Sequence, residues 1–271
     1  MNEKILKTKS NGFAALFSIL LLLILSVVGF ISSIALIRNE GLQVVCILLC
    51  ILVFIGSLML FGGLKVVKPQ EAIVLTLFGE YTGSIKEPGF YFVNPFSVAV
   101  NPAAKTKLGQ SGDVDRQSTP VTISTTGGVE ANLNALNKQI SLKIMTLNNS
   151  RQKINDCLGN PVEIGIAVTW RVVDTAKAVF NVDNYKEYLS LQCDSALRNI
   201  VRIYPYDVAP NVDTTGDGVA DEGSLRGSSE VVAKRIRDEI QARVENAGLE
   251  IIEARITYLA YAPEIAAVML Q

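Results

Sequence analysis

The chain has 271 residues, of which 49% are hydrophobic and 19% charged, with a net charge of −1 and no histidine. The missing histidine excludes His-dependent triads, His-ligated zinc or haem and imidazole pH switching, and no stretch gathers Lys and Arg among aromatics as nucleic-acid binding requires. Four cysteines, none in a Cys-x-x-Cys pair, are few for this length and read as reduced thiols in the cytoplasm.

After a basic tail over residues 1–12, residues 13–37 are 25 in a row without a charge and residues 41–64 are 24, separated by Arg38-Asn39-Glu40. At about 1.5 Å of rise per residue each run reaches roughly 36 Å as a helix, against a hydrocarbon core of about 30 Å. Lipid tolerates only closed backbone hydrogen bonding, and a three-residue polar link leaves room for an antiparallel return. The predicted element is a transmembrane helical hairpin, 13–37 and 41–64. Lys4, Lys7 and Lys9 precede it and Lys65 and Lys68 follow it, so the expected location is the cell membrane with both termini cytoplasmic. A cleaved signal peptide would carry a shorter apolar run and no second span. A re-entrant hairpin that never crosses would leave the same two ends in the cytoplasm.

Gly29 and Ser33 form a small-xxx-small pair that lets a second helix approach. Cys46 and Cys50 share a helix face and read as small apolar packing. Neither span contains Asp, Glu, Lys or Arg, whereas ion pathways and proton relays place ionisable groups inside the membrane. The hairpin reads as an anchor rather than a conduit.

Beyond Lys65 the pattern changes to strands. Residues 71–78 form one, followed by Gly79, Gly83, Pro88-Gly89 and a second short strand over 90–93, ended by Asn94-Pro95-Phe96. Phe90, Phe92 and Phe96 are candidates for membrane-surface contact, with core packing the competing reading. Residues 101–138 form a polar excursion with a weak hairpin signal at Gly127-Gly128. Residues 139–145 resume alternation, with Ile140, Leu142 and Ile144 on one face. In the strongest strand, Val162, Ile164, Ile166, Val168, Trp170 and Val172 share a face opposite Glu163, Thr169 and Arg171.

Helical spacing follows at Tyr185, Leu189, Cys193, Leu197, Ile200 and Tyr204, stopped by Pro205. A polar loop over 207–223 leads to a second amphipathic helix with Val232, Ile236, Ile240 and Val244 in line and charge pairs Lys234 with Asp238 and Glu239 with Arg243. Gly248 is a stop signal, residues 249–262 read as a last strand, and Pro263 opens a helix over 263–271. Ile265, Val268 and Met269 form its apolar stripe, the candidate assembly contact.

Within the acidic loop, Asp213, Asp217 and Asp221 have the spacing of calcium ligands, with Gly218 for a sharp turn. Thr215 and Ser224 stand where further carboxylates belong, and a solvated acidic turn is the better reading. No phosphate loop, activated Ser, Cys or Lys, or paired carboxylate motif appears, so no catalytic residue, resident metal or cofactor is expected.

The run Val66-Val67-Lys68-Pro69-Gln70-Glu71-Ala72-Ile73-Val74, then Gly79, Pro88-Gly89-Phe90 and Asn94-Pro95-Phe96, resembles the opening of an SPFH domain, the family of stomatin, prohibitin, flotillin and bacterial membrane-protease regulators. Further matches are residues 162–173 with Asp174, Asn184-Tyr185, Ala196-Leu197-Arg198, Leu225-Arg226, Glu239-Ile240-Gln241 before Gly248, and Ala262-Pro263-Glu264-Ile265-Ala266. They run in order through nearly all of residues 66–271. The two-span anchor, the long 101–138 excursion and the acidic loop depart from the pattern, and the sequence stops where members of the family begin a long coiled-coil helix.

The resemblance implies an α+β fold in which the transmembrane hairpin precedes an SPFH-like domain over residues 65–262 and the start of a C-terminal helix. It also implies a homo-oligomeric ring or cage, built from this chain or with a paralogue, that organises membrane regions or regulates a membrane protease or channel. The competing class is an accessory subunit of a transport or ion-conducting complex, which would need polar residues in the spans. A membrane-anchored hydrolase is a more distant third.

Overall fold

Uninterrupted apolar sequence without proline gives two long helices at the start of the chain, α1 (Gly12–Leu36) and α2 (Glu40–Leu60). The computed structural model describes residues 3–6, 11–36, 39–106, 138–149, 151–207 and 223–265. It divides into two units, Lys4–Val100 and a second made of Asn101–Gln271 with Met1–Glu3.

In the first unit, Gly12–Ala35 and Glu40–Gly63 are long and apolar enough to cross a membrane. Their outward faces carry open leucines, Leu52 at 72% exposure among them, a surface suited to lipid rather than water. The hydroxyls inside the helices are satisfied locally. Ser18 donates to the Ala14 carbonyl, Ser26 to Leu23, Ser33 to Gly29 and Ser57 to Phe54 at 2.7–2.8 Å, so no span hydroxyl in this set needs an outside partner. The second span is shorter as an α-helix than the expected 41–64. Phe61–Gly63 tighten into a 3₁₀ turn, because two successive glycines weaken the helix, and Leu64 already belongs to a strand.

That strand, β1 (Leu64–Val67), leads through a turn to β2 (Glu71–Leu77), β3 (Glu80–Ile85), β4 (Gly89–Phe92) and β5 (Val98–Ala99). The strand expected over 90–93 is β4, and its partner is β1, with Leu64 opposite Phe92 and Val67 opposite Gly89. β2 instead forms a hairpin with β3 and pairs β5 on its other side. β3 was hidden in the sequence by Gly83, which reads as a turn residue. Here Gly83 lies within a strand, and a Cβ on it would stand 2.6 Å from the Leu6 side chain. The chain ahead of α1 covers that notch: Leu6 N–H donates to Ser84 O and Ser84 N–H to Lys4 O, both at 2.9 Å. Val67, Ile73, Leu75, Ile85 and Tyr91 form the core beneath.

The second unit opens with Asn101 capping a 3₁₀ turn, Pro102–Lys105. The expected alternation over 139–145 is displaced. The strands are β6 (Ile140–Ser141) and β7 (Met145–Asn148), with Met145 and Leu147 buried and Ile144 59% exposed. Ile140 is buried as expected, but the run breaks between the two strands and β7 resumes with Met145 and Leu147 inward, which leaves Ile144 outside; a one-residue shift exchanges the two faces. β8 (Gln152–Asn155) was not anticipated, since its four residues are mostly polar.

β9 (Pro161–Val172) is the centre of the sheet and has the predicted pattern, with all six same-face residues at most 3% exposed. β7 and β8 pair with one side of it. Asp174 caps α3 (Thr175–Phe180), a six-residue helix too short to stand out in the sequence, and Glu3 accepts hydrogen bonds from the Thr175 N–H at 3.0 Å and hydroxyl at 2.5 Å.

Asn184 caps α4 (Tyr185–Val201), whose predicted apolar line is buried. Burial, helped by the neighbouring Asp194 charge, pushes the Cys193 thiol up to about 12. Tyr185 meets Trp170 of β9 edge-on, with ring centroids 6.2 Å apart. α5 (Ser229–Val244) buries Val232, Ile236, Ile240 and Val244 completely. Of its expected ion pairs, Arg243 holds Glu239 at 2.6 Å, while Asp238 meets Arg237 at 3.0 Å. Gly248, in the left-handed region at φ 67°, turns the chain into β10 (Leu249–Tyr261), which runs antiparallel along β9. Together these elements make a mixed α+β fold.

Candidate membrane interface

Both open ends of the hairpin are built onto β4. At the start of α1, Asn11 Oδ1 accepts from the Phe92 N–H at 3.3 Å, and the Phe13 ring meets Phe90 edge-on with centroids 5.2 Å apart. At the end of α2, the Val93 N–H donates to Gly63 O at 2.9 Å, and a Cβ on Gly62 would stand 3.4 Å from Pro95 O. No residue intervenes between the 3₁₀ turn and β1. The helices therefore leave from and return to one two-stranded ribbon, which makes them antiparallel. Gly29 marks their close approach, since a Cβ there would lie 3.1 Å from Cys50 Sγ.

The three phenylalanines singled out in the sequence separate into two roles. Phe90 and Phe92 are half-buried against the ends of the helices. Tyr91 between them turns into the core at 2% exposure and donates to Glu87 O at 3.1 Å; burial, then the Glu87 charge, raises its pKa above the ordinary phenol value. Phe96 is 52% exposed, on a turn in which Asn94 Oδ1 accepts from the Phe96 N–H at 3.0 Å.

Sequence reading missed the residue that completes this surface. Phe78 is 88% exposed and stacks on Phe96, centroids 6.2 Å apart and planes 26° from parallel. It occupies the first loop position of the two-residue β2–β3 turn, where Phe78 and Gly79 both have positive φ, 51° and 91°. Asn, Asp or Gly normally stand there. A bulky side chain in the left-handed region is uncommon and strained, and its one ring contact here is with another exposed phenylalanine rather than with the core. The sequence offers only an aromatic before Gly at the end of the first strand, because the strand after it is hidden by Gly83. Val98, 52% exposed, extends the apolar surface.

Ile265 lies in the first turn of the terminal helix, its N–H donating to Ala262 O at 3.0 Å. Glu264 beside it meets Lys153 at 2.7 Å, a hydrogen bond that holds the carboxyl below its ordinary value. Val268 and Met269 lie outside the described residues, as do Asp213, Asp217 and Asp221 of the acidic loop and Gly127-Gly128 of the excursion.

Compared with curated proteins, the chain finds no match. A family model described as SPFH domain / Band 7 family matches residues 65–271.

Proposed function

Because the chain belongs to the SPFH domain / Band 7 family, we propose that it is a non-enzymatic, membrane-anchored scaffold that assembles with copies of itself and organises its surroundings in the bilayer or regulates membrane proteins such as proteases. The family as a whole suggests a membrane-associated scaffold or regulator, and the two apolar helices fit a membrane protein. The observation that carries the reading is the joint between hairpin and ribbon: α1 starts on β4 and α2 runs into β1. An ion pathway has little to work with in spans whose one charged side chain, Glu40, stands at the tip, with none over residues 13–37 and 41–64.

In this reading both ends of the hairpin face the cytoplasm, in keeping with Lys4, Lys65 and Lys68. Phe78 and Phe96 enter the lipid boundary beside the end of α2, where covering each ring is worth about 1.5–3 kcal/mol. Ile265, Val268 and Met269 contribute an apolar contact to a neighbouring copy. Confinement in the membrane raises the local concentration so that modest contacts accumulate. Extraction in mild detergent followed by particle imaging tests the assembly. Closed rings or cages are expected, and a uniform population of single chains overturns it.

A further inference from the structure

We propose that the outer edge of β10 is a docking strip for a second copy of this chain, which joins it by extending the sheet. The proposal rests on the self-assembly reading and adds where the copies meet. β10 is 13 residues long and pairs only with β9 among the described residues. An open strand edge presents a row of unpaired N–H and C=O groups that recruits another strand unless it is covered. At its start the edge is covered: the Gln241 side chain of α5 donates from Nε2 to Leu249 O at 3.2 Å, and its Oε1 accepts from the Ile251 N–H at 2.7 Å. One amide thus makes both bonds that a neighbouring strand would make. Past Ile251 that cover stops.

A groove of about 460 Å³ follows between the first half of α5 and β10, with Ala233, Ile252, Ala254 and Ile256 along it and Lys234 and Arg237 at its rim. Its charges cancel nearly in place. Glu253 meets Arg255 at 2.6 Å and Arg237 meets Asp238 at 3.0 Å, while Glu230 and Lys234 stand one helical turn apart. A slot of nearly balanced charge, lined by charged as well as apolar side chains beside an open backbone edge, suits an extended segment of low charge rather than a polyanion.

The chain supplies such a segment at the other margin of the same sheet. β8 carries one charged residue, Lys153. β8 and β10 are each antiparallel to β9, so they run the same way. A neighbour displaced sideways, turned modestly and slid six residues along the strand direction, roughly 20 Å, can therefore lay its β8 along this β10 beside Glu253 as a parallel pair, and repetition of one head-to-tail contact gives a ring when its rotation closes. Copies anchored in one bilayer face the same side of it, which favours such a relation. Glu253 lies opposite Thr169 and Lys153 opposite Glu163, so the two carry opposite charge on the same sheet face.

The test uses full-length chains in membranes, in a Cys157→Ser background. Chains with Glu253→Cys and chains with Lys153→Cys are expressed separately and together, then oxidised. A disulfide-linked pair is expected only in the mixture. Adding Ala233→Trp, which fills the groove from a partly exposed helix position, is expected to lower the pair's yield at least fivefold without moving the melting temperature. Linkage of Glu253→Cys chains to one another, capture of a different protein at that cysteine, or assemblies of normal size without the mixed disulfide would each overturn the inference while leaving self-assembly standing. Single chains in the unsubstituted protein would remove the assembly reading and this inference with it.

Discussion

Phe78 and Phe96 stack face to face on the outside of the ribbon-bearing unit, one from a hairpin turn and the other from the loop beside the end of α2. Neither ring is enclosed by its own fold. Phe78→Asn should relieve the left-handed strain, which is about 1–2 kcal/mol for a residue with a Cβ and less for Asn. The melting temperature in detergent is expected to rise. In brominated lipid, Phe96→Trp should give an emission that is quenched, with weaker quenching when Phe78→Asn is added. The natural chain has a single Trp, the buried Trp170, and serves as the unquenched baseline. No difference between the two would place the loop away from lipid.

Gly29 and Cys50 set the spacing of the hairpin. Gly29→Val should drive the helices apart and cost about 1–3 kcal/mol, the usual range for overpacking. The smaller Gly29→Ala should be partly rescued by Cys50→Ala, which removes the atom it strikes. Melting of the four proteins in one detergent gives the coupling. Independent effects would mean that the helices meet elsewhere.

In the second unit, Val168 is fully buried in the central strand and Thr169 points to the opposite face. Val168→Asp puts an unpaired charge on a buried strand face with five other apolar residues, where burial without a partner costs about 4–5 kcal/mol or more. Loss of folded protein is expected. Thr169→Asp should be milder, with a folded yield near normal.

The Lys153–Glu264 contact fastens the first turn of the terminal helix. The carboxyl's folded value is depressed, so its contribution is complete above the ordinary carboxylate value and disappears as pH falls through the lowered one. Hydrogen exchange at the Ile265 amide should therefore speed up on acidification, relative to internal β9 amides. Glu264→Gln should show the faster exchange already at neutral pH and little further pH dependence.

How much was legible depended on how far each pattern repeats. β9, α4 and α5 stand out because six, five and four apolar residues within them recur at one period, and tertiary burial agrees with that period. β1, β3 and β8 were missed because strands of four to six residues with Gly83 or polar residues inside them leave no such repeat. The displaced β7 shows the same weakness at a boundary. At the candidate interface, Phe96 could be suspected from its place after Asn94-Pro95. Phe78 could not be assigned a role, because its exposure follows from a hairpin turn whose second strand had not been recognised.

The absence of any residue between the 3₁₀ turn at Gly63 and the first residue of β1 leaves the ribbon no swivel. A span longer than the bilayer is thick adjusts by tilting. With Phe13 held against Phe90 on one side and Gly63 hydrogen-bonded to Val93 on the other, a tilt of the hairpin carries the β1–β4 ribbon with it. In the proposed membrane-anchored arrangement, bilayer thickness is thereby a mechanical input to this unit, read out as the angle at which its sheet meets the membrane.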